Sequence, residues 1–453
     1  MKRLFILILS VTLALSLVAC GKDASKSISS QTENSTIEEF DEDKLLSQSI
    51  TYAEEMANGN YDNIRTSFSE ATKRQVSQKK LYDGWKDVVK DFGSYQSVYS
   101  SSCKVSDDYA NIIVILKYEK NALELSLRYN KKNYIDGIWI KPAVISPEGV
   151  SNADFEEKPM KIGKDPFILD GMLTTPKNNA KSVVVIMVQG SRQSDMNEAI
   201  GENKPFEDIA HGLAKQGITT IRYHKRYFQH SNLAKADITV KDEILDDVAY
   251  AIQYAKQDKN LKNSKIIVLG HSLGGMLTPK IATDNKEVAG IISLAGSPRN
   301  LEDIIFDQNK EAIKAMQDKS DAEKEQLLKQ VEVEIEKIRN LKQTDTPSTI
   351  MGVHSNYWNS LHGIQSKELA KNLSLPMLFL QGSADFQVLA DVDYKEWQEV
   401  LKGKTNAEFH SYENLNHLFM KTKGKKDISD YDGKGTVEAK VIDDIANWIE
   451  KKI

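Results

Sequence analysis

Cysteine is scarce in this chain, because only Cys20 and Cys103 occur among 453 residues. Two cysteines can form at most one disulfide bond. A disulfide framework is therefore excluded, and a hydrophobic core must hold the fold together. At 453 residues and 40% hydrophobic composition, the chain has enough apolar material for two globular domains.

Other absences exclude whole classes of chemistry. The eight histidines form no His-x-x-x-His pair and no Cys/His ligand spacing, so the sequence predicts no metal site. There is no Gly-x-x-x-x-Gly-Lys-Ser/Thr run to hold a phosphate. The formal net charge of −5 gives no basic surface for nucleic acid. We expect no cofactor, no metal and no nucleic-acid partner, and the sequence carries no information on the oligomeric state.

Residues 268–275 contain a Gly-x-Ser-x-Gly pattern directly after a short apolar strand. When a strand turns abruptly into a helix, the residue at the turn is strained and its neighbours need almost no side chain. Gly270 and Gly274 supply that room, so we expect Ser272 to act as a nucleophile above the sheet edge. The amide of Leu273 is expected to point where an oxyanion develops.

A serine nucleophile needs a base, and the base needs an acid that orients it. Two later apolar strands are predicted, and Asp385 follows the first and His417 the second. Their chain order of Ser, Asp, His is one in which such triads occur. An earlier buried strand, residues 182–188, precedes Gln-Gly-Ser, so we predict the Ser191 amide as the second oxyanion donor.

Other histidines and aspartates occupy less suitable positions. They are His271, His354, His362, His410, Asp391 and Asp393. His410 lies inside the last strand, and His271 is expected only to support the turn. The two remaining histidines fall in a predicted cap, where a substrate contact and a solvated position both stay open. The two aspartates, placed on the next helix, stay open as alternative partners of His417.

Residues 160–453 resemble the bacterial esterases of the dienelactone hydrolase and prolyl-oligopeptidase-like group. The matching segments are Val188-Gln-Gly-Ser191, Asn203-Lys-Pro-Phe206, Ile221-Arg-Tyr-His-Lys-Arg226, Gly270-His-Ser-Leu-Gly-Gly275, Gln381-Gly-Ser-Ala-Asp-Phe-Gln-Val388 and Leu415-Asn-His-Leu-Phe419. The resemblance implies an α/β-hydrolase fold and hydrolysis of small carboxylic esters. Arg192 stands where the group usually has Gly and is a candidate to narrow the pocket or attract an anionic acyl group. His224 stands where the group usually has Asp.

About 80 residues separate the strand at 291–294 from the one before Asp385, more than one crossover helix needs. We therefore predict an inserted helical cap at about residues 300–370. Residues 311–341 are charged and helical in pattern, with an apolar stripe that would pack over Ser272. Tyr357 and Trp358 follow it, and two roles stay open for them: lining the substrate pocket or packing the cap.

The first 20 residues resemble a bacterial lipoprotein signal. Lys2 and Arg3 precede an apolar run at residues 4–18, which is short for a membrane span and leads into Leu-Val-Ala-Cys20. This pattern implies cleavage before Cys20, acylation of its thiol, and attachment to the outer face of the cell membrane. An ordinary secretory signal is the alternative. Residues 21–44 are almost entirely polar and predict a disordered tether.

Residues 45–145 have helical spacing first and strand patterns afterwards, which predicts a small α+β domain of the cystatin-like or nuclear-transport-factor-like kind. It resembles a domain of uncharacterised function found ahead of secreted bacterial hydrolases. No chemistry-bearing cluster is visible in it, so we interpret it as a spacer or an envelope-binding module. A linker is predicted at residues 146–159, and the hydrolase domain at residues 160–453.

The predicted function is that of a serine hydrolase that cleaves carboxylic esters outside the cytoplasm. Two alternatives remain open from the sequence. One is a peptidase or acyltransferase with the same triad, and the other is a non-catalytic lipoprotein that binds an envelope partner. A damaged triad would favour the second alternative, and all three predicted residues are present.

Overall fold

The structure, a computed structural model, describes residues 40–453 in two units that divide between Ser146 and Pro147. The predicted signal segment, Cys20 and most of the tether lie outside the described residues. The tether was predicted to end at residue 44, but the first helix already begins at Glu42. Within residues 40–453, no helix combines the length and the apolar character that crossing a membrane requires.

The first unit, residues 40–146, consists of four helices followed by four strands. The helices are α1 (Glu42–Ala57), α2 (Asp62–Thr66), α3 (Glu70–Gln75) and α4 (Gln78–Val89). The strands are β1 (Tyr95–Val105), β2 (Tyr109–Tyr118), β3 (Ala122–Asn130) and β4 (Ile135–Ala143). All four strands pair antiparallel in chain order, which confirms the predicted small α+β fold.

Alternating side chains place the core of this unit on one face of its sheet. In β2, Ile112, Val114 and Leu116 are buried, whereas Ile113 and Ile115 between them are only half-buried. Successive side chains of a strand point to opposite faces, so the buried set faces one way. That face packs in one apolar cluster with the buried stripes of α1 and α4.

The second unit, residues 147–453, is built on an eight-stranded sheet. Its strands are β5 (Phe155–Lys164), β6 (Phe167–Pro176), β7 (Val183–Val188), β8 (Thr219–Tyr223), β9 (Lys265–His271), β10 (Val288–Leu294), β13 (Met377–Gly382) and β14 (Ala407–Tyr412); a separate hairpin comprises β11 (Thr349–Ile350) and β12 (Val353–His354). The strand order is β14-β13-β10-β9-β7-β8-β6-β5, and β6 alone among these eight runs in the direction opposite to the other seven.

Helices cover both faces of this sheet. They are α5 (Pro205–Lys215), α6 (Arg226–Gln229), α7 (Asp246–Gln257), α8 (Leu273–Asp284), α9 (Leu301–Ala315), α10 (Asp321–Arg339), α11 (Ser355–His362), α12 (Ser366–Asn372), α13 (Lys395–Val400) and α14 (Ala439–Lys452). Val184 and Ile186 of β7 pack in the cluster with α7 and α8, and Val185 and Met187 pack in the cluster with α5 and α14. Burial on both faces explains why β7 is an unbroken apolar run.

The predicted cap is present as helices α9 to α12 between β10 and β13. The helical pattern predicted for residues 311–341 is divided between two helices, because Ser320 caps α10 through a reciprocal pair of hydrogen bonds with Glu323. The linker prediction also needs correction. β5 begins at Phe155, inside the predicted linker, because Phe155 pairs with Pro176 of β6 and is buried.

Candidate active site

Ser272 occupies a strained turn between β9 and α8. Its φ of 53° and ψ of −117° lie where side chains rarely fit. A Cβ on Gly270 would lie 2.2 Å from the carbonyl oxygen of Gly274, and a Cβ on Gly274 would lie 2.3 Å from that of Val188. Glycine at both positions is therefore a steric requirement of this turn.

Pro279 lies in the interior of α8, where a proline normally breaks the hydrogen-bond ladder. Its missing N–H leaves the carbonyl of Gly275 without the usual helical donor. The hydroxyl of Thr278 donates to that carbonyl at 2.9 Å, and the hydroxyl of Ser293 does so at 3.1 Å. These two hydroxyls allow the helix behind Ser272 to continue past the proline.

Asp385 and His417 form a buried pair at the same sheet edge as Ser272. His417 Nδ1 lies 2.7 Å from Asp385 Oδ2, which also accepts from Gln381 Nε2 at 2.9 Å. The other carboxylate oxygen accepts from the backbone N–H groups of Gln387 and Val388, at 2.8 and 3.0 Å. A carboxylate can only accept, so it places the proton of a neutral His417 on Nδ1 and leaves Nε2 free to act as a base.

His271 links the turn at Ser272 to the loop that carries His417. Its Nε2 donates to the backbone carbonyl of His417 at 2.9 Å, and its Nδ1 lies 3.0 Å from Glu198 Oε2. Burial lowers the pKa of His271, but the Glu198 carboxylate, the His417 carbonyl and Asp385 together more than offset this effect, so the pKa lies above its ordinary value. Glu198 also accepts from the N–H of Gly190 at 2.6 Å. Sequence reasoning missed Glu198, because nothing local distinguishes a buried acid from a solvated one.

A small pocket that is open to solvent lies beside Ser272. It is lined by Ser191, Ser272, Leu273, Met276, Ser297, Leu301, Ile304, Ile305, Gln308, Gln387 and Val388. The two predicted oxyanion donors, Ser191 and Leu273, thus share one cavity with the predicted nucleophile. Helix α9 of the cap supplies the apolar wall, through Leu301, Ile304 and Ile305.

Tyr357 and Trp358 do not line this cavity, so their predicted substrate contact needs correction. The Tyr357 hydroxyl donates to Glu243, and the Trp358 indole N–H donates to the carbonyl of Ile350 at 3.3 Å. Both side chains are buried in the core beneath the cap, which is the packing role left open above. Arg192 is exposed on the loop directly after Ser191 with a φ of 79°, and its role in substrate binding stays a prediction.

The alternative acids and bases have other partners. Asp393 is fully buried and accepts from the Ser297 hydroxyl at 2.5 Å and from Arg299 Nε at 2.8 Å. Asp391 is exposed and pairs with Lys395. Other contacts also occupy His354, His362 and His410. In the part of the chain that the structure describes, no three His, Cys, Asp or Glu side chains converge as metal ligands.

The strand order, the single reversed strand β6 and the serine on a strained strand-to-helix turn define an α/β-hydrolase of the serine type. A family model described as serine aminopeptidase, S33, matches residues 200–423. A model for a family of unknown function, DUF3887, matches residues 49–138, within the first unit.

Esterase EstD of Thermotoga maritima is 30% identical to this chain over 418 residues, which are 91% of this chain and 96% of EstD. The chain therefore belongs to the family of serine hydrolases that includes EstD, and it is an ester-hydrolysing enzyme. Among solved structures, Est1E from Butyrivibrio proteoclasticus is 16% identical with a TM-score of 0.42, covering 65% of this chain and 98% of Est1E. An esterase from Pyrococcus furiosus is 15% identical with a TM-score of 0.43, covering 68% and 98%.

Replacing Gly274 by alanine tests the steric requirement at the nucleophile turn. The added methyl group would collide with the backbone of β7, so we expect Gly274→Ala to lower the free energy of unfolding by about 1–3 kcal/mol. Equilibrium urea unfolding measures this change. Gly363→Ala is the matched control, because a Cβ there meets no atom closer than 3.6 Å. Equal stability of the two variants would contradict the steric account.

Proposed function

We propose that this enzyme hydrolyses carboxylic esters through a triad of Ser272, His417 and Asp385 and through an acyl-enzyme. The observation that carries the proposal is the 2.7 Å contact between His417 Nδ1 and Asp385 Oδ2, at the sheet edge where Ser272 is held in its strained turn. Burial of all of the Asp385 carboxylate and nearly all of the His417 ring supports a fixed orientation of the base.

The reaction follows from these positions. Ser272 Oγ attacks the ester carbonyl carbon while His417 Nε2 takes the hydroxyl proton, and the carbonyl electron pair moves onto oxygen. When that pair returns, the bond to the alcohol oxygen breaks and His417 donates its proton to the departing alcohol. Water then gives a proton to His417 and attacks the acyl-enzyme. The carboxylic acid leaves, and the proton returns to Ser272.

The surroundings of Ser272 suit this chemistry. The amides of Ser191 and Leu273 are the proposed donors to the oxyanion, and Leu273 lies at the positive N-terminal end of α8. Within residues 40–453, neither amide N–H has a hydrogen-bond acceptor. The apolar wall from α9 suits an apolar acyl or alcohol group next to the reacting carbon.

Substitution of the triad tests the proposed mechanism. Ser272→Ala should lower kcat on p-nitrophenyl esters by about 10⁶-fold, because it removes the nucleophile, and Asp385→Asn should lower it by about 10⁴-fold, because it misorients the base. Asp391→Asn is the matched control, since Asp391 is exposed and pairs only with Lys395 among the described residues. Full activity of Ser272→Ala, or turnover of aminoacyl p-nitroanilides without ester turnover, would overturn the proposal.

We also propose that the enzyme works outside the cytoplasm, anchored by lipid on Cys20. The charged start, the short apolar run and the residues before Cys20 support this proposal. Cys20→Ala should move ester hydrolysis from the membrane fraction to the soluble fraction and abolish metabolic labelling by an alkynyl palmitate. A variant that stays in the membrane fraction without label would show that another segment holds it there.

A further inference from the structure

A buried group of polar side chains holds the loop that carries Ser191, and the mechanism above does not use it. Lys225 Nζ donates to the carbonyl of Gly190 at 2.7 Å and to Glu243 Oε1 at 2.6 Å. The second carboxylate oxygen of Glu243 accepts from the Tyr357 hydroxyl. We refer to Lys225, Glu243 and Tyr357 as the lysine relay.

Burying the charges of the lysine relay costs desolvation free energy. Lys225, Glu243 and Tyr357 are only 2%, 6% and 7% exposed, so both charges are almost completely shielded from solvent. A buried ion pair adds little net stability, because the free energy of desolvation offsets the attraction between its charges. Burial raises the pKa of Tyr357, and the Glu243 carboxylate raises it further, which keeps the hydroxyl protonated as a donor. The Lys225–Glu243 pair is therefore better explained by its hold on the Gly190 carbonyl than by a contribution to folding stability.

The geometry of the peptide bond connects that carbonyl to the proposed chemistry. The Gly190–Ser191 peptide is planar, and in a trans peptide the carbonyl and the following N–H point in opposite directions. Lys225 holds the carbonyl of Gly190, so the N–H of Ser191 is turned to the opposite side. Ser191 also lines the pocket that contains Ser272 and Leu273. A reversed peptide would direct the carbonyl oxygen toward the developing negative charge.

The preceding peptide, between Gln189 and Gly190, is also held by a hydrogen bond. The N–H of Gly190 donates to Glu198, and a Cβ on Gly190 would lie 2.9 Å from the Cβ of Ser272. The loop therefore lies directly against the nucleophile, with one fixed contact on each side of Gly190. Of these two contacts, the one made by Lys225 sets the orientation of the Ser191 amide.

We propose that Lys225 is a positioning residue that holds the Ser191 amide toward the oxyanion, and that Glu243 and Tyr357 hold Lys225 in place. This inference rests on the proposed function, because it takes Ser272 as the nucleophile. Tyr357 belongs to α11 of the cap, so the lysine relay also ties the cap to the oxyanion loop. None of the three side chains lines the cavity at Ser272.

The double variant Lys225→Met/Glu243→Met tests the proposal, because it removes both charges and leaves neither one buried alone. The matched control is Arg226→Met/Asp247→Met. It removes a second buried ion pair, with a 2.6 Å contact, whose cation is the next residue along the chain and does not contact Gly190. Tyr357→Phe is the milder variant, since it keeps both charges and removes only the hydroxyl that holds Glu243.

The first measurement is kcat, normalised to the number of active sites that a phosphonate titrates. The other two are KM for p-nitrophenyl acetate and the inhibition constant of a trifluoromethyl ketone. That ketone forms a tetrahedral adduct whose oxyanion needs the same donors. One lost oxyanion donor costs about 10²–10³ in kcat, so a misaligned one should cost about 10- to 100-fold in the lysine relay variant. KM should change by less than about 3-fold, and the ketone should bind more weakly by the same factor as kcat falls.

The proposal would be overturned if the Lys225→Met/Glu243→Met variant kept the wild-type kcat per titrated site and the wild-type ketone affinity. Equal losses in the Arg226→Met/Asp247→Met control would also overturn it. If the double variant does not fold, Tyr357→Phe decides the question, with an expected fall in kcat of about 3- to 10-fold and a matching loss of ketone affinity. An active Ser272→Ala variant would instead refute the proposed function on which this inference rests.

Discussion

The strained backbone at Ser272 is the constraint on which the rest of the second unit depends. This turn exists only if no side chain occupies the space at Gly270 and Gly274, and the second of these rests against the carbonyl of Val188. β7 and β9 must therefore be neighbours, as their parallel pairing shows. Because β7 ends at that contact, the loop that follows it reaches Ser272 directly and brings Ser191 into the same cavity.

Much of this arrangement was predictable, because its signals are local. Glycines on both sides of Ser272 mark the turn, and the run of apolar residues in β7 marks a strand buried on both faces. Asp385 and His417 could be identified because each follows the end of a predicted strand, and the carboxyl ends of parallel strands meet at one edge of the sheet. The fold class was predictable for the same reason, and so was the cap, from the length of the chain between β10 and β13.

The buried contacts around these residues could not be predicted, because they join distant parts of the chain and have no local signature in the sequence. Lys225 looks like any lysine at a strand end, and its burial appears only when Glu243 and Tyr357 fold against it. Glu198 is an ordinary acid in a polar loop until it meets His271. The same reason explains the correction for Tyr357, since an aromatic residue on a cap helix has the same pattern whether it faces a cavity or the core. Sequence patterns identify the proposed reacting groups, and packing identifies the groups that we propose orient them.

The most direct test of this account is a crystal structure of the protein after reaction with a p-nitrophenyl alkylphosphonate, a stable mimic of the tetrahedral intermediate. The account predicts phosphorus bonded to Ser272 Oγ, with the phosphoryl oxygen about 2.7–3.1 Å from the amide nitrogens of Ser191 and Leu273. His417 Nε2 should face the remaining alkoxy oxygen. Phosphorus on another residue, or a phosphoryl oxygen directed away from both amides, would contradict the account.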